Sequence, residues 1–256
     1  MFPLRDENPT NLTPFLTVAL IGANVAVWIW VQGAGVSLSA LADSVCRYGA
    51  IPIEITGGAR TGTIDFGEGL PPCELGGLRY TTLVTSMFLH GSWMHLLSNM
   101  WFMWVFANNI EDSMGHLRFL AFYLLCGLAA IGAQVLASPG APVPTVGASG
   151  AISGVMGAYL VFFPRIRVYT LFILIIFFRV IPVPAWFWLL LWFAIQVLSG
   201  YTAPMGEGGG VAFWAHVGGF VAGIVLAKPF ENRVLVSAKR RHVHLSPYEV
   251  RHRGWW

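Results

Sequence analysis

Six apolar runs recur along this chain, at 15–31, 93–110, 117–136, 149–163, 185–198 and 212–226, and they constrain its fold more than any other feature. A helix of about 17 to 25 apolar residues crosses a lipid bilayer. In lipid the backbone must satisfy its own hydrogen bonds, which a helix does. Some of the runs are shorter than a full crossing. Charged residues make up 11% of the chain, against about a quarter in a soluble domain. These runs predict an all-α membrane protein with six transmembrane helices. The first run follows a polar, acid-containing leader at 1–13. It is too long for a signal-peptide core and has no clear cleavage site, so it reads as a retained span. The stretch 168–183 is apolar enough to span, but Arg179 and Pro182 interrupt it and Arg165 and Arg167 precede it. Its β-branched and aromatic residues fit a segment packed at the cytoplasmic interface better than a seventh span.

Charge is partitioned along the chain. Lys228, Arg233, Lys239, Arg240, Arg241, Arg251 and Arg253 crowd the C-terminus, whereas Asp43, Glu54, Asp65, Glu68 and Glu74 fall between the first two runs. Cytoplasmic segments carry the excess of Lys and Arg. Both termini are therefore expected in the cytoplasm and the acidic loop, about 34–92, outside. The expected organisation is a cytoplasmic leader at 1–13, one membrane domain at 14–230 and a basic cytoplasmic tail at 231–256. The tail can touch anionic lipid, although a plain topology signal accounts for it. No folded module presents the basic residues to nucleic acid. Cys126 lies in an apolar run and reads as packing. Cys46 and Cys73 share the outer loop and can pair if that compartment is oxidising; the sequence leaves their geometry open.

With the N-terminus inside, spans two, four and six all run from outside to inside, so their first turns lie at one depth near the outer face. Polar groups within spans are costly and mark function. Span two carries His95 and Asn99, stacked on one face at i and i+4. Span four opens with Gly147-Ala148-Ser149-Gly150, and span six carries Ala215-His216-Val217-Gly218-Gly219. Three spans thus deliver polar groups to the same layer. Gly150 with Gly154, and Gly219 with Gly223, give small residues at i and i+4, which let helix backbones approach. A close crossing of spans four and six would bring the Ser149 hydroxyl to the His216 imidazole. Serine becomes a useful nucleophile when a neutral histidine takes its proton. Asn99, His95 and the Ser149 backbone N–H can donate to an oxyanion. Glu111 and Asp112 fall at the cytoplasmic end of span two, and Glu207 sits in a glycine-rich outer loop. No carboxylate is therefore placed to complete a triad, and a dyad is expected.

These motifs, preceded by His90-Gly91-Ser92-Trp93-Met94-His95-Leu96-Leu97-Ser98-Asn99, resemble the rhomboid proteases. Glu111 and Gly115 match a recurrent segment at the end of span two of that family, and the likeness runs from about residue 85 to 227. The resemblance implies a six-helix core and cleavage of other proteins' transmembrane helices without metal or cofactor. Ser149 would be the nucleophile and His216 the base. His95, Asn99 and the Ser149 N–H would form the oxyanion hole, with Glu111 a structural anchor. Many rhomboids carry an aromatic residue four after the serine, packed on the histidine; here that position is Ser153, so other groups must hold His216. The expected partners are transmembrane substrates and the bilayer, in a bacterial plasma membrane with the site open to the outer face.

Other readings are weaker. His90 and His95 lack the Glu of a His-Glu-x-x-His zinc site. A transporter predicts inverted repeats and midplane ion ligands, which the sequence lacks. A silent member of the same fold that only binds membrane clients has no use for both Ser149 and His216.

Overall fold

A computed structural model of the chain describes residues 2–59, 61–65, 67, 69–77, 79–174, 177–202, 210–241 and 243. Glu68, Glu207 and the tail beyond 243, with Arg251 and Arg253, lie outside the described residues. The elements in order are β1 (Phe2–Asp6), α1 (Phe15–Trp30), α2 (Leu38–Tyr48), α3 (Pro52–Ile55), β2 (Gly62–Ile64), β3 (Cys73–Leu75), α4 (Thr82–Thr85), α5 (Trp93–Met114), α6 (His116–Ala137), α7 (Ser149–Phe162), β4 (Arg167–Leu174), β5 (Phe177–Pro184), α8 (Ala185–Thr202), α9 (Phe213–Phe230) and α10 (Arg233–Arg240).

Each of the six apolar runs is a helix: α1, α5, α6, α7, α8 and α9. Among the described residues α6, α8 and α9 are long and apolar enough to cross a membrane, and α1 and α7 are shorter apolar helices. Helix α5 is as long as α6, but its hydropathy is diluted by His95, Asn99, Asn108, Asn109, Glu111 and Asp112. Helix α7 is the central element. It is buried without interruption from Gly150 to Tyr159, with α5, α6, α8 and α9 packed around it.

The fold is mostly helical, not wholly so, which corrects the all-α expectation. The stretch 168–183 forms an antiparallel hairpin, β4 with β5, paired from Arg167↔Pro184 to Leu174↔Phe177. The leader adds β1 on the other side of β4, Phe2 opposite Leu171 and Asp6 opposite Val168. β-Branched and aromatic residues favour this extended pairing, and Pro182 and Pro184 fall on the edge strand, where a missing donor is tolerated.

Asp6, residues 11–17 and α10 gather at the C-terminal end of α5. Buried Glu111 accepts hydrogen bonds from the Leu16 and Thr17 amides at 3.0 and 2.8 Å and from the Thr17 hydroxyl at 2.7 Å. It thereby satisfies first-turn donors of α1 that have no partner within the helix. Asp112 accepts the Asn11 and Leu12 amides and an ion pair from buried Lys239 of α10 at 2.8 Å. Asn109 links Lys239 to Asp6, and the Tyr159 hydroxyl of α7 donates to Asp6. Gly115, at φ +80°, then reverses the chain directly into α6.

At the opposite end, the loop between α1 and α5 is folded. A Cys46–Cys73 disulfide joins α2 to β3. Arg79 donates to both oxygens of buried Glu54. Ala50 exchanges backbone hydrogen bonds with Thr145 at 3.0 and 2.7 Å, tying this loop to the segment that leads into α7.

Candidate active site

The approach to α7 is fixed before the helix begins. Gly147 has φ +124°, a conformation that residues with a Cβ rarely adopt, and its amide donates to the Ser86 carbonyl at 2.9 Å. A Cβ on Gly147 would lie 2.8 Å from His95 Nε2 and 3.6 Å from Asn99 Nδ2. The glycine lets the turn before Ser149 pass directly against both side chains.

Helices α7 and α9 meet backbone to backbone. A Cβ on Gly219 would overlap the Gly150 carbonyl, and one on Gly223 the Gly154 carbonyl. The predicted glycines are thus the points of contact. Gly157, which would strike the Phe220 carbonyl, extends the same crossing, and Gly218, which faces Ala133, brings α9 against α6. These two were missed, although both are visible as small residues within apolar runs.

That crossing brings His216 Nε2 to 2.8 Å from Ser149 Oγ. The other ring nitrogen, Nδ1, lies 2.8 Å from Gln196 Oε1 on α8. The Gln196 amide nitrogen donates back to the Trp192 carbonyl at 3.4 Å, so its oxygen is the atom that faces the imidazole. A carbonyl oxygen only accepts. Nδ1 therefore carries the hydrogen, and Nε2 presents its lone pair to the serine hydroxyl. The Trp192 ring packs 5.8 Å from the imidazole. Ser153 does not reach His216; its hydroxyl donates to the Ser149 carbonyl at 2.7 Å. Gln196 and Trp192 were missed by the sequence reading, although a lone glutamine in the apolar run 185–198 was a visible signal.

His95 and Asn99 project from the first two turns of α5. Ser92 caps that helix, accepting the His95 amide at 3.1 Å. His95 Nδ1 accepts the Gly91 amide at 3.3 Å, which leaves Nε2 as the N–H end, turned toward Gly147. Asn99 is buried, and its amide nitrogen has no hydrogen-bond partner. An unpaired buried donor is costly, and here it sits beside a second donor at the entry to α7. Behind His95, the Gln32 side chain holds both the amide and the carbonyl of His90 at 2.8 Å, and the two histidine rings meet edge to face. A small cavity adjoins Ser149, walled by Met87, Gly127, Ala130, Ile131, Gly150 and Ala215.

Comparison with known proteins identifies the family to which these residues belong. A family model described as Rhomboid domain matches residues 78–232, which include every residue placed above at the Ser149–His216 pair. Rhomboid-like protease 5 of Toxoplasma gondii is 32% identical over 147 residues, covering 56% of this chain and 15% of that protein. Rhomboid protein 1, mitochondrial, of Saccharomyces cerevisiae is 26% identical over 164 residues, 62% of this chain and 44% of that protein. The presenilin-associated rhomboid-like protein, mitochondrial, of Bos taurus is 31% identical over 93 residues, 36% of this chain and 25% of that protein. The chain spans less than half the length of these relatives. They are eukaryotic and in part mitochondrial by name, so the bacterial expectation finds no support among them, while apolar helices on this scale make it a membrane protein. With the family model matching more than half of its length, the chain belongs to the rhomboid family.

Proposed function

We propose that the protein is an intramembrane serine endopeptidase that hydrolyses peptide bonds in or near the transmembrane helices of other membrane proteins. The observation that carries this reading is the 2.8 Å approach of His216 Nε2 to Ser149 Oγ, with the imidazole hydrogen held on Nδ1. In the reaction, Ser149 Oγ attacks the peptide carbonyl carbon while His216 Nε2 takes its proton. The oxyanion that forms is met by His95 Nε2–H, the free Asn99 amide hydrogens and the Ser149 N–H, which opens α7 and has no intrahelical acceptor. The imidazolium returns its proton to the leaving amine. Water, deprotonated by the same nitrogen, then releases the acyl group from Ser149.

In this reading α1 and α5 to α9 are six spans, with residues 1–13 and 231–256 cytoplasmic and the site open to the outer face. The shared position of Asp6, Asn11, Leu12, Asp112 and α10 at the end of α5 away from His95 supports it. Unwound or helix-poor segments of membrane helices are the expected substrates, because a peptide bond must leave its helix to reach Ser149.

The test is labelling by a fluorescent fluorophosphonate, with cleavage of a transmembrane substrate in proteoliposomes. Wild type labels and cleaves; Ser149→Ala and His216→Ala do neither while retaining the thermal unfolding of the folded protein. Cleavage by Ser149→Ala at the wild-type rate would overturn the assignment.

A further inference from the structure

Helix α8 supplies both groups that hold the base. Trp192 and Gln196 lie one turn apart on the same face of α8, and both meet His216 of α9. Gln196 and His216 are each less than a tenth exposed. In so dry a place the Gln196 carbonyl needs a donor, and its amide nitrogen is already committed to the Trp192 carbonyl. From α7 the imidazole receives only the Ser149 hydroxyl, because Ser153 is turned back onto the helix.

From this geometry we infer that Gln196 is a positioning residue of the catalytic pair, a neutral third member that fixes the tautomer and ring angle of His216 through Nδ1. The inference rests on the Ser149–His216 pair acting as proposed above. A carboxylate in this position would hold the hydrogen equally well but would also favour the charged imidazole. The amide fixes orientation without adding a charge within the bundle, where an isolated charge is costly. When His216 takes the serine proton, the Nδ1–H remains on the Gln196 oxygen, so the ring cannot rotate away before it protonates the leaving amine.

Two substitutions test this. Gln196→Leu leaves Nδ1–H without an acceptor; kcat is expected to fall by about 10–100-fold, the size of effect seen when a histidine loses its orienting partner, with KM little changed. Gln196→Glu keeps the acceptor and adds a charge. It should retain activity at alkaline pH, with the acid limb of the kcat/KM profile moved up by about 1–3 pH units. Among the described residues the titratable group acting on His216 is His95 of α5, and Ser149 of α7 meets it with a hydroxyl. Helix α6 presents alanines at that level, and α8 and α9 place no acid beside it.

Both variants are compared at equal folded protein, judged by thermal unfolding, and Ser149 labelling is followed in parallel. If Gln196→Leu does not fold, the Gln196→Glu profile decides. A wild-type profile in Gln196→Glu, or a wild-type kcat in folded Gln196→Leu, overturns the role of Gln196. If wild type labels and cleaves through Ser149 in those same experiments, only this inference falls. If wild type fails to label at Ser149, it is the protease reading that falls.

Discussion

Gly219 of α9 lies so close to Gly150 of α7 that no Cβ fits between its α-carbon and the Gly150 carbonyl. The contact sits one residue after Ser149 and one turn after His216, so the spacing of these two helices sets the serine–histidine distance. Gly219→Ala is expected to push the helices apart, at a cost of about 1–3 kcal/mol for overpacking. The loss of Ser149 labelling should exceed what the lost stability accounts for. Gly132→Ala on α6, where a Cβ meets nothing within 4 Å, is the control and should label like wild type. Equal labelling by both variants would separate the glycine contact from catalysis.

Asn99 is the clearest test of the oxyanion donors. Its amide nitrogen is buried and unpaired, as expected of a donor that finds its acceptor only when substrate charge develops. Asn99→Ala should lower kcat by about 10²–10³-fold and leave KM nearly unchanged. A loss confined to KM would make Asn99 a binding residue.

Much of this architecture was legible in the sequence. The six apolar runs are six helices, and the motif residues Ser149, His216, His95 and Asn99 converge because α5, α7 and α9 all start at one end of the bundle. The small-residue spacing also named the correct contact faces. The sheet was less legible. The run 168–183 has the apolar character of a span, and what makes it a hairpin is a partner strand more than 150 residues earlier, in a leader with no apolar signal. Gln196 was hidden for a related reason. Nothing in the run 185–198 tells which residue it faces, since that depends on how α8 is rotated against α9. Carboxylates are the residues that a sequence offers as third members, whereas the group at His216 Nδ1 is an amide.

Glu111 is expected to act on stability alone. It accepts three hydrogen bonds from the first turn of α1 and lies 2.6 Å from His116 Nδ1. Glu111→Gln replaces one accepting oxygen with a donor aimed at donors. Breaking such a buried set costs about 1–3 kcal/mol, to be read as a lower thermal midpoint in detergent. The folded fraction should still label at Ser149, because the site lies at the far end of α5. Reduced labelling per folded molecule would show that the anchor also shapes the site.

Asp6 gives the protein a pH-dependent element away from the site. Burial pushes its carboxyl up from 3.8 to about 6, against the Tyr159 hydroxyl and the Lys239 charge, which pull it down. A folded-state value above the unfolded one means that the folded protein holds the proton more tightly. The stability from this group is therefore complete below about pH 4 and is lost as pH rises to about 6, by at most about 3 kcal/mol. Asp6→Asn keeps an acceptor for Tyr159 but cannot titrate. The difference in unfolding midpoint between wild type and Asp6→Asn, measured from pH 4 to 7, should thus fall steadily up to about pH 6 and then level off. A difference that rises with pH over that window would mean that the Lys239 and Tyr159 contacts outweigh burial, and that Asp6 is held ionised in the folded protein.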